Sequence, residues 1–237
     1  MNTVVDIGNT AIKIGFFEKD QLVEKHTIQS IDEMIELIHK KKNKYILFSS
    51  VKTPISSFLQ KIDSDIEAFG LSSSTKLPFE NEYKTKDTLG MDRLAAIAGA
   101  HQLFPNHHSL VVDVGTAIKF DFISNENKYK GGGISPGLAI RFKSLHQFTS
   151  QLPLLASEKI DYLIGNSTSE CIMSGVMNGT IAEINGIIEQ YKDTFDELKI
   201  ILTGGDASFF ETRIKHSIFV EPDLVLKGLN YLLQYNV

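Results

Sequence analysis

Two short segments of the chain, residues 4–13 and 111–119, repeat one pattern that is suited to binding an anion. If Asn9 is left out of the first segment, the two differ at one position only, where the first has isoleucine and the second has valine. In each, an apolar strand ends in an aspartate, and a glycine and a threonine lead into a second, aromatic-rich strand. Glycine accepts the positive φ that such turns need, and the backbone N–H groups can meet a phosphate. The repeat predicts two phosphate-binding turns from an internal duplication, although two unrelated hairpins could share this turn chemistry.

A second candidate for chemistry is the pair Asp92 and Arg93, which follows Gly90. A positioned aspartate can take the proton of a substrate hydroxyl, and a guanidinium can hold a carboxylate with two donors. On local sequence alone, a plain helix N-cap is the stronger interpretation of Asp92, and Arg93 could be a surface residue. Both alternatives stay open at this level.

The composition is that of an ordinary globular chain with no global sign of a nucleic-acid partner. Its 237 residues are 42% hydrophobic and 22% charged, with a formal net charge of −5. No apolar run approaches the ~18 residues of a membrane span, and no signal-peptide pattern opens the chain. The single cysteine, Cys171, allows no internal disulfide and is expected to be a buried structural thiol. A cytoplasmic protein without membrane or nucleic-acid partners is the expectation.

Helical and strand periods place these residues on two α/β halves. In the first half, Ser30 and Glu33 form a capping box before an amphipathic helix, and residues 45–50 predict a buried strand. Pro54 is expected to begin a short helix. Residues 93–104 are expected to form a longer helix.

The second half repeats the strand–turn–strand start and then becomes mainly helical. Three glycines interrupt its longest helical pattern, which predicts close packing against another element or a bend. The predicted elements are strands near 109–115, 117–124 and 127–131, helices over 138–149 and 167–191, a strand at 200–203, and helices near 207–216 and 223–235.

These motifs resemble the nucleotide cleft of the actin, Hsp70 and sugar-kinase superfamily. The match comprises Asp-x-Gly-Asn-Thr from residue 6, Asp-x-Gly-Thr from residue 113 and Thr-Gly-Gly from residue 203. The Gly90-Met91-Asp92-Arg93 element and the Gly-Gly-Gly-Ile-Ser-Pro-Gly loop at 131–137 narrow the resemblance to the type III pantothenate kinase family.

The resemblance implies an α/β fold of two RNase H-like (actin-like ATPase) domains, residues 1–107 and 108–237. They would arise by internal duplication, with the nucleotide cleft between them. It also implies ATP-dependent phosphorylation of the primary hydroxyl of pantothenate, the first committed step towards coenzyme A. Two rivals remain: a non-catalytic or regulatory ATP-binding protein of the same fold, and another enzyme of the fold, such as a sugar kinase or polyphosphate phosphatase.

For the nucleotide, the resemblance implies one phosphate loop and three later contacts. Asp6 would also act on Mg²⁺, directly or through water, since hard cations prefer carboxylate oxygens. The implied ATP-binding residues are Asp6, Ile7, Gly8, Asn9, Thr10, Ala11, Ile12, Lys13, Thr116, Gly204 and Gly205.

For the acceptor, the resemblance assigns Asp92 as the base that deprotonates the hydroxyl. It also implies a homodimer in which Thr168 reaches the partner subunit's site, although a simple helix cap would equally explain Thr168. The implied pantothenate-binding residues are Tyr83, Gly90, Met91, Asp92, Arg93 and Thr168.

Asp113 matches the family's ligand of a monovalent cation, K⁺ or ammonium. The family usually shows Thr-Ala-x-Thr from the position of Thr116, whereas Lys119 replaces the last threonine here. The ammonium of Lys119 could partly stand in for a bound cation, or the side chain could point to solvent from its strand. Dependence on a monovalent cation is therefore the inherited property that this sequence supports least.

Overall fold

The computed structural model describes residues 1–50 and 54–237. Within these residues the strands are β1 (Asn2–Ile7), β2 (Ile12–Glu18), β3 (Gln21–Ile28), β4 (Tyr45–Ser50), β5 (Glu67–Gly70), β6 (Glu80–Asn81), β7 (Ser109–Val114), β8 (Ala117–Ile123), β9 (Lys128–Pro136), β10 (Lys199–Thr203) and β11 (Phe219–Val220). The α-helices are α1 (Ile31–His39), α2 (Ser56–Leu59), α3 (Met91–Leu103), α4 (Leu138–Gln147), α5 (Thr168–Thr194), α6 (Ala207–Phe210) and α7 (Leu224–Asn236).

The described chain divides into two compact units. Unit 1 comprises Met1–His107, Asp121–Gly131 and Asp223–Val237, and unit 2 comprises His108–Phe120 and Gly132–Pro222. Unit 1 thus draws on three separate parts of the chain. The domain boundaries expected from the resemblance, 1–107 and 108–237, stay a prediction.

The first sheet lies in unit 1 and has the strand order β3-β2-β1-β4-β5. β1 and β2 form an antiparallel hairpin in which Asp6 lies opposite Lys13, and β1 also pairs in parallel with β4. Apolar residues from the strands and from α1 make the core beneath, with Val5, Ile14 and Phe48 fully buried. This packing holds the turn after β1 in place, because both strands that flank it are anchored.

The second sheet has the order β11-β10-β7-β8-β9-β6 and repeats the pattern of the first. β7 and β8 are neighbours joined by a short turn, and β7 pairs in parallel with β10, placing Thr203 opposite Asp113. A hairpin followed by a later parallel strand thus occurs twice. The topology agrees with the duplication that the sequence repeat predicts.

Helices α3 and α7 pack closely within unit 1 because small residues line their contact. A Cβ on Gly99 would lie 2.6 Å from the carbonyl oxygen of Leu224, and one on Gly228 would overlap the carbonyl oxygen of Ala95. Both glycines are therefore required by the close approach. The residues of α3 from Leu94 to Ala100 are buried, which fixes the start of the helix as well.

Helix α1 confirms that Ser30 is the N-cap, since its hydroxyl accepts a hydrogen bond from the backbone N–H of Glu33. Three predicted boundaries are wrong: α2 starts at Ser56 rather than Pro54, α3 starts at Met91 rather than residue 93, and α6 is only four residues long. Strands β3, β5, β6 and β11 were not expected.

Helix α5 is the longest helix among the described residues, and three of its glycines have open space where a side chain would stand. A Cβ on Gly175, Gly179 or Gly186 would meet no heavy atom within 4 Å, so close packing inside unit 2 does not explain these glycines.

By length and composition alone α5 could cross a membrane. One such helix is weak support for a span, because the core helices of globular proteins meet the same criterion.

Candidate active site

Asp92 lies in the first turn of α3, and Gly90 is the N-cap of that helix. The carbonyl of Gly90 accepts hydrogen bonds from the N–H groups of Arg93 and Leu94, so the N-cap interpretation of Asp92 is wrong. Asp92 Oδ1 accepts from the backbone N–H of Arg93 at 2.9 Å. The first turn of a helix is a favourable place for a carboxylate, because the positive end of the helix dipole lies there.

Gly90 permits this arrangement by lacking a side chain. A Cβ at this position would lie 2.5 Å from Asp92 Oδ1, closer than any real contact. Steric space therefore explains why the Gly-Met-Asp-Arg element begins with glycine.

Arg93 is buried and held by Asp121 of β8. Its Nε lies 3.0 Å from Asp121 Oδ1 and 3.1 Å from Oδ2, and its Nη2 lies 2.6 Å from Oδ1. The side chains of the pair are 6% and 2% exposed. Burial alone would lower the pKa of Arg93, but the hydrogen bonds and charge of Asp121 outweigh it and raise the pKa. The surface interpretation of Arg93 is wrong.

Tyr129 completes the buried network from β9. Its hydroxyl donates to Asp121 Oδ1 at 2.6 Å, and burial followed by the charge of Asp121 raises the pKa of this phenol. Asp121 therefore receives donors from two sides, which satisfies a carboxylate that water hardly reaches.

Tyr83 lies beside Arg93. Its hydroxyl is 3.4 Å from Arg93 Nη1, and the guanidinium carbon lies 5.4 Å from the ring centroid. The ring also stacks on Tyr129 at 6.2 Å, and Gly131, with φ +92°, passes close under it. The structure thus brings Tyr83, Asp92 and Arg93 into one cluster.

Asp121 and Tyr129 were missed by the sequence-based assignment. A signal for Asp121 was present, because it stands between Phe120 and Phe122 in an apolar strand. A carboxylate within a buried strand needs a partner. For Tyr129, nothing in the local sequence distinguishes it from an ordinary core aromatic.

The first phosphate-type turn joins β1 to β2 in unit 1. Asn9 and Thr10 at its tip are exposed, and the N–H of Gly8 donates to the carbonyl of Ala11 at 3.1 Å. Asp6 and Lys13 are cross-strand neighbours at its base, with Ile7 and Ile12 buried between. The turn therefore presents backbone and small side chains to solvent, flanked by one carboxylate and one ammonium.

The second turn, in unit 2, is closed by an ion pair. Lys119 Nζ lies 2.7 Å from Asp113 Oδ2, and the side chains are 17% and 15% exposed. Lys119 thus turns inward rather than to solvent. A second cation about 4 Å from this ammonium would be repelled by about 4 kcal/mol at an effective dielectric constant near 20.

Two glycine loops close around the Asp113 turn. A Cβ on Gly204, whose φ is +100°, would lie 2.5 Å from Asp113 Oδ1. A Cβ on Gly137 would overlap the carbonyl of Gly115, and the Gly137 N–H donates to the carbonyl of Thr116 at 3.1 Å. Thr116 and Gly205 remain exposed at the rim. The predicted residues Asp113, Thr116, Gly204 and Gly205 therefore share one locality.

Thr168 lies elsewhere in unit 2, as the first residue of α5. Ser167 is the N-cap and accepts from the N–H of Glu170, so a capping role for Thr168 is wrong. Thr168 is exposed and lines a cavity of about 900 Å³ between α4 and α5. Among the described residues, no other predicted site residue lines this cavity. Cys171 also lines it and is exposed, so the prediction of a buried thiol is wrong.

No cluster of three or more histidine, cysteine, aspartate or glutamate residues that could hold a metal ion occurs in residues 1–50 and 54–237. Asp6 offers the carboxylate oxygens that Mg²⁺ prefers, and ATP phosphates would supply further oxygens, so the donors fit this ion. The Asp113 carboxylate already receives the Lys119 ammonium, so its donors do not fit a monovalent metal ion.

The solved structures similar to this chain share its fold. A conserved Baf family protein of Campylobacter jejuni, described as a proposed transcriptional activator, matches with a TM-score of 0.64 and 25% identity over 99% of this chain and 98% of that one. A proposed N-acetylmannosamine kinase from Listeria monocytogenes matches with a TM-score of 0.56 and 15% identity over 99% and 98%. At this low identity, the second match shows only that the two chains share the sugar-kinase fold. That shared fold confirms the predicted fold class.

Sequence comparison identifies the family. The family model for type III pantothenate kinase matches residues 2–190. A type III pantothenate kinase from Cytophaga hutchinsonii is 41% identical over 237 residues, covering all of both chains. The chain is therefore a member of the type III pantothenate kinase family.

Proposed function

We propose that this protein is a cytoplasmic pantothenate kinase. It transfers the γ-phosphoryl group of ATP to the primary hydroxyl of pantothenate, giving 4'-phosphopantothenate in the first step of coenzyme A biosynthesis. The observation that carries this proposal is the placement of Asp92 and Arg93, side by side in the first turn of α3, within a family of that activity.

Asp92 is the catalytic base in this proposal. As the hydroxyl oxygen bonds to the γ-phosphorus and the bond to ADP breaks, the hydroxyl proton passes to the Asp92 carboxylate. A positioned base contributes about 10²–10⁴-fold to such a step. The helix start supports the role by holding the carboxylate beside a backbone N–H, at the positive end of the helix dipole.

Arg93 binds the acceptor through the part of its guanidinium that Asp121 does not use. A guanidinium has five N–H donors. Asp121 engages Nε and one N–H of Nη2, and Tyr83 lies at Nη1. The remaining N–H groups on the terminal nitrogens can meet the carboxylate or an amide oxygen of pantothenate, with Tyr83 as the neighbouring contact. Gly90 and Met91 contribute backbone contacts.

ATP binds through the two duplicated turns and the Gly204–Gly205 loop. The first turn supplies Asp6, Ile7, Gly8, Asn9, Thr10, Ala11, Ile12 and Lys13, and the second supplies Thr116. The exposure of Asn9 and Thr10 supports phosphate contacts, and the positive φ at Gly204 supports a close nucleotide approach. Asp6 would hold Mg²⁺, directly or through water, and the ion when bound would neutralise phosphate charge.

The active protein is a homodimer in this proposal, with Thr168 completing the partner subunit's site. Cys171, Gly175, Gly179, Ala182 and Gly186 form an exposed strip of small residues along α5. Large apolar residues of unit 2 are exposed as well, including Phe148 and Ile164 at 86% and Leu163 at 74%. A second copy packed along α5 would cover this surface and account for the glycines.

A coupled assay of ADP release tests the activity. We expect release that depends on pantothenate, and no release with glucose or N-acetylmannosamine as acceptor. Release driven by a sugar instead would overturn the proposal in favour of a sugar kinase.

The alternative is a regulatory ATP-binding protein without turnover, which the likeness to the Campylobacter jejuni protein favours. ATP binding with no ADP release from any acceptor would support that alternative.

A further inference from the structure

The ammonium of Lys119 occupies the carboxylate side of the second turn. Its Nζ lies 2.7 Å from Asp113 Oδ2, and less than a fifth of either side chain is exposed. The pair is therefore largely withdrawn from water, and its geometry is that of a charge-assisted hydrogen bond. A lysine that only decorated the strand would extend its flexible stem into solvent instead.

The other oxygen of the Asp113 carboxylate faces the Gly204 loop. Gly204 stands so close to Asp113 Oδ1 that a Cβ there would lie 2.5 Å away. Because Lys119 already binds this small carboxylate, a monovalent metal ion on Asp113 would lie close to the ammonium. The repulsion between two like charges at that distance opposes such binding.

We propose that Lys119 supplies, as part of the chain, the single positive charge that a monovalent cation would bring to this turn. The inference rests on the proposed kinase function, and it adds that turnover requires neither K⁺ nor free ammonium. Lys119 acts by holding Asp113 and by placing a positive charge next to the turn that contains Thr116, the proposed ATP contact.

A cation titration tests this inference directly. Pantothenate-dependent ADP release is measured at constant ionic strength while KCl replaces tetramethylammonium chloride, an ion too large for the turn. We expect the wild-type rate to stay constant within about twofold. The Lys119→Thr variant, which leaves space and a hydroxyl oxygen beside Asp113, should lose about tenfold without K⁺ and recover most of its rate when K⁺ is added.

Two control variants make the result specific. Lys119→Arg keeps the charge and should remain independent of K⁺. Lys128→Thr removes a lysine whose ion pair with Glu126 is local and more exposed, and should behave as wild type. Melting temperatures in both salts give a readout that needs no turnover: K⁺ should raise that of Lys119→Thr relative to tetramethylammonium, and leave that of wild type unchanged.

Stimulation of the wild type by K⁺ of about tenfold or more would overturn the inference, as would a Lys119→Thr variant that is fully active without K⁺. If Lys119→Thr does not fold, the wild-type titration still decides. If no form releases ADP under any salt condition, the proposed function fails, and the melting temperatures still decide the role of Lys119.

Discussion

The Arg93 guanidinium donates to the Asp121 carboxylate from two of its nitrogens, Nε and Nη2, inside unit 1. Arg93 follows the proposed base directly in sequence, whereas Asp121 lies on a different element and has no direct role in the proposed chemistry. Breaking a buried ion pair leaves one charge without its partner, which is costly. We therefore expect Asp121 to position Arg93, so that loss of Asp121 weakens the binding of pantothenate in the proposed site.

The Asp121→Asn variant tests this positioning role. Removing the charge should lower the free energy of unfolding by about 3 kcal/mol, because Arg93 stays buried. It should also raise the KM for pantothenate by about tenfold while kcat changes less, because Asp92 keeps its place at the helix start. Urea unfolding and steady-state kinetics measure the two effects.

Glu126→Gln is the matched control, since this carboxylate pairs with Lys128 at the surface and should contribute within about 0.5 kcal/mol. A normal KM in a destabilised Asp121→Asn variant would mean that the pair serves stability alone.

Replacing the proposed base gives a second prediction. Asp92→Asn keeps the size and the hydrogen bond to the Arg93 N–H but cannot accept a proton at neutral pH. We expect kcat to fall by about 10²–10⁴-fold with little change in melting temperature. Asp87→Asn, which alters an exposed carboxylate a few residues earlier, should keep the wild-type rate. Equal rates for the two variants would exclude Asp92 as the base.

A pH-dependent stability term should come from His101. Its ring lies between Phe79 and Tyr231, and burial lowers its pKa below the ordinary value of 6.5, against an opposing hydrogen bond with Asn127. As the pH falls below 6.5, the unfolded chain binds this proton before the folded one, so the free energy of unfolding decreases. Above that pH the contribution is fully present.

Urea unfolding at pH 7.5 and pH 5.5 measures this effect. The wild type should lose more stability on acidification than a His101→Gln variant, in which the proton site is gone. Equal losses in the two proteins would show that carboxylates and other groups account for all of the acid sensitivity.

The α5 surface gives a prediction about assembly. If a second copy packs against the small residues, Gly179→Leu should shift the protein from dimer to monomer in sedimentation velocity. It should also lower ADP release, because Thr168 would no longer reach a partner. The control Gln190→Leu adds the same side chain at an exposed position near the end of α5. A wild-type monomer, or a Gly179→Leu dimer, would contradict the proposed interface.

Most of the fold could be predicted because the strands and helices carry clear periods. β4 coincides with its predicted residues 45–50, and the repeat at Asp6 and Asp113 corresponds to two hairpins that each pair with a later parallel strand. The missed strands were short or lacked alternation, as in Glu80–Asn81 and Phe219–Val220. Two residues form a strand only because a partner is already in place, which local sequence does not reveal.

Residues of the candidate site that share one short motif could be predicted from the sequence. Residues that are distant in the sequence and meet only in the folded chain were harder to predict. Gly90, Asp92 and Arg93 were found together because they lie within four consecutive residues. The Asp121 and Tyr129 partners of Arg93 come from other strands, so only the burial of a carboxylate pointed to them. Whether the Lys119 side chain points to solvent or to Asp113 depends on how their two strands face each other. The sequence alone did not decide between these two orientations.

The tight contact of α7 with α3 has a consequence for synthesis on the ribosome. The alanine-rich face of α3 emerges early, but the helix that covers it belongs to residues 223–237, which are translated much later. Residues 108–222, most of which make up unit 2, are all translated before then. The nascent chain must therefore carry an uncovered apolar surface through much of its elongation, which makes α3 a site where a chaperone would act.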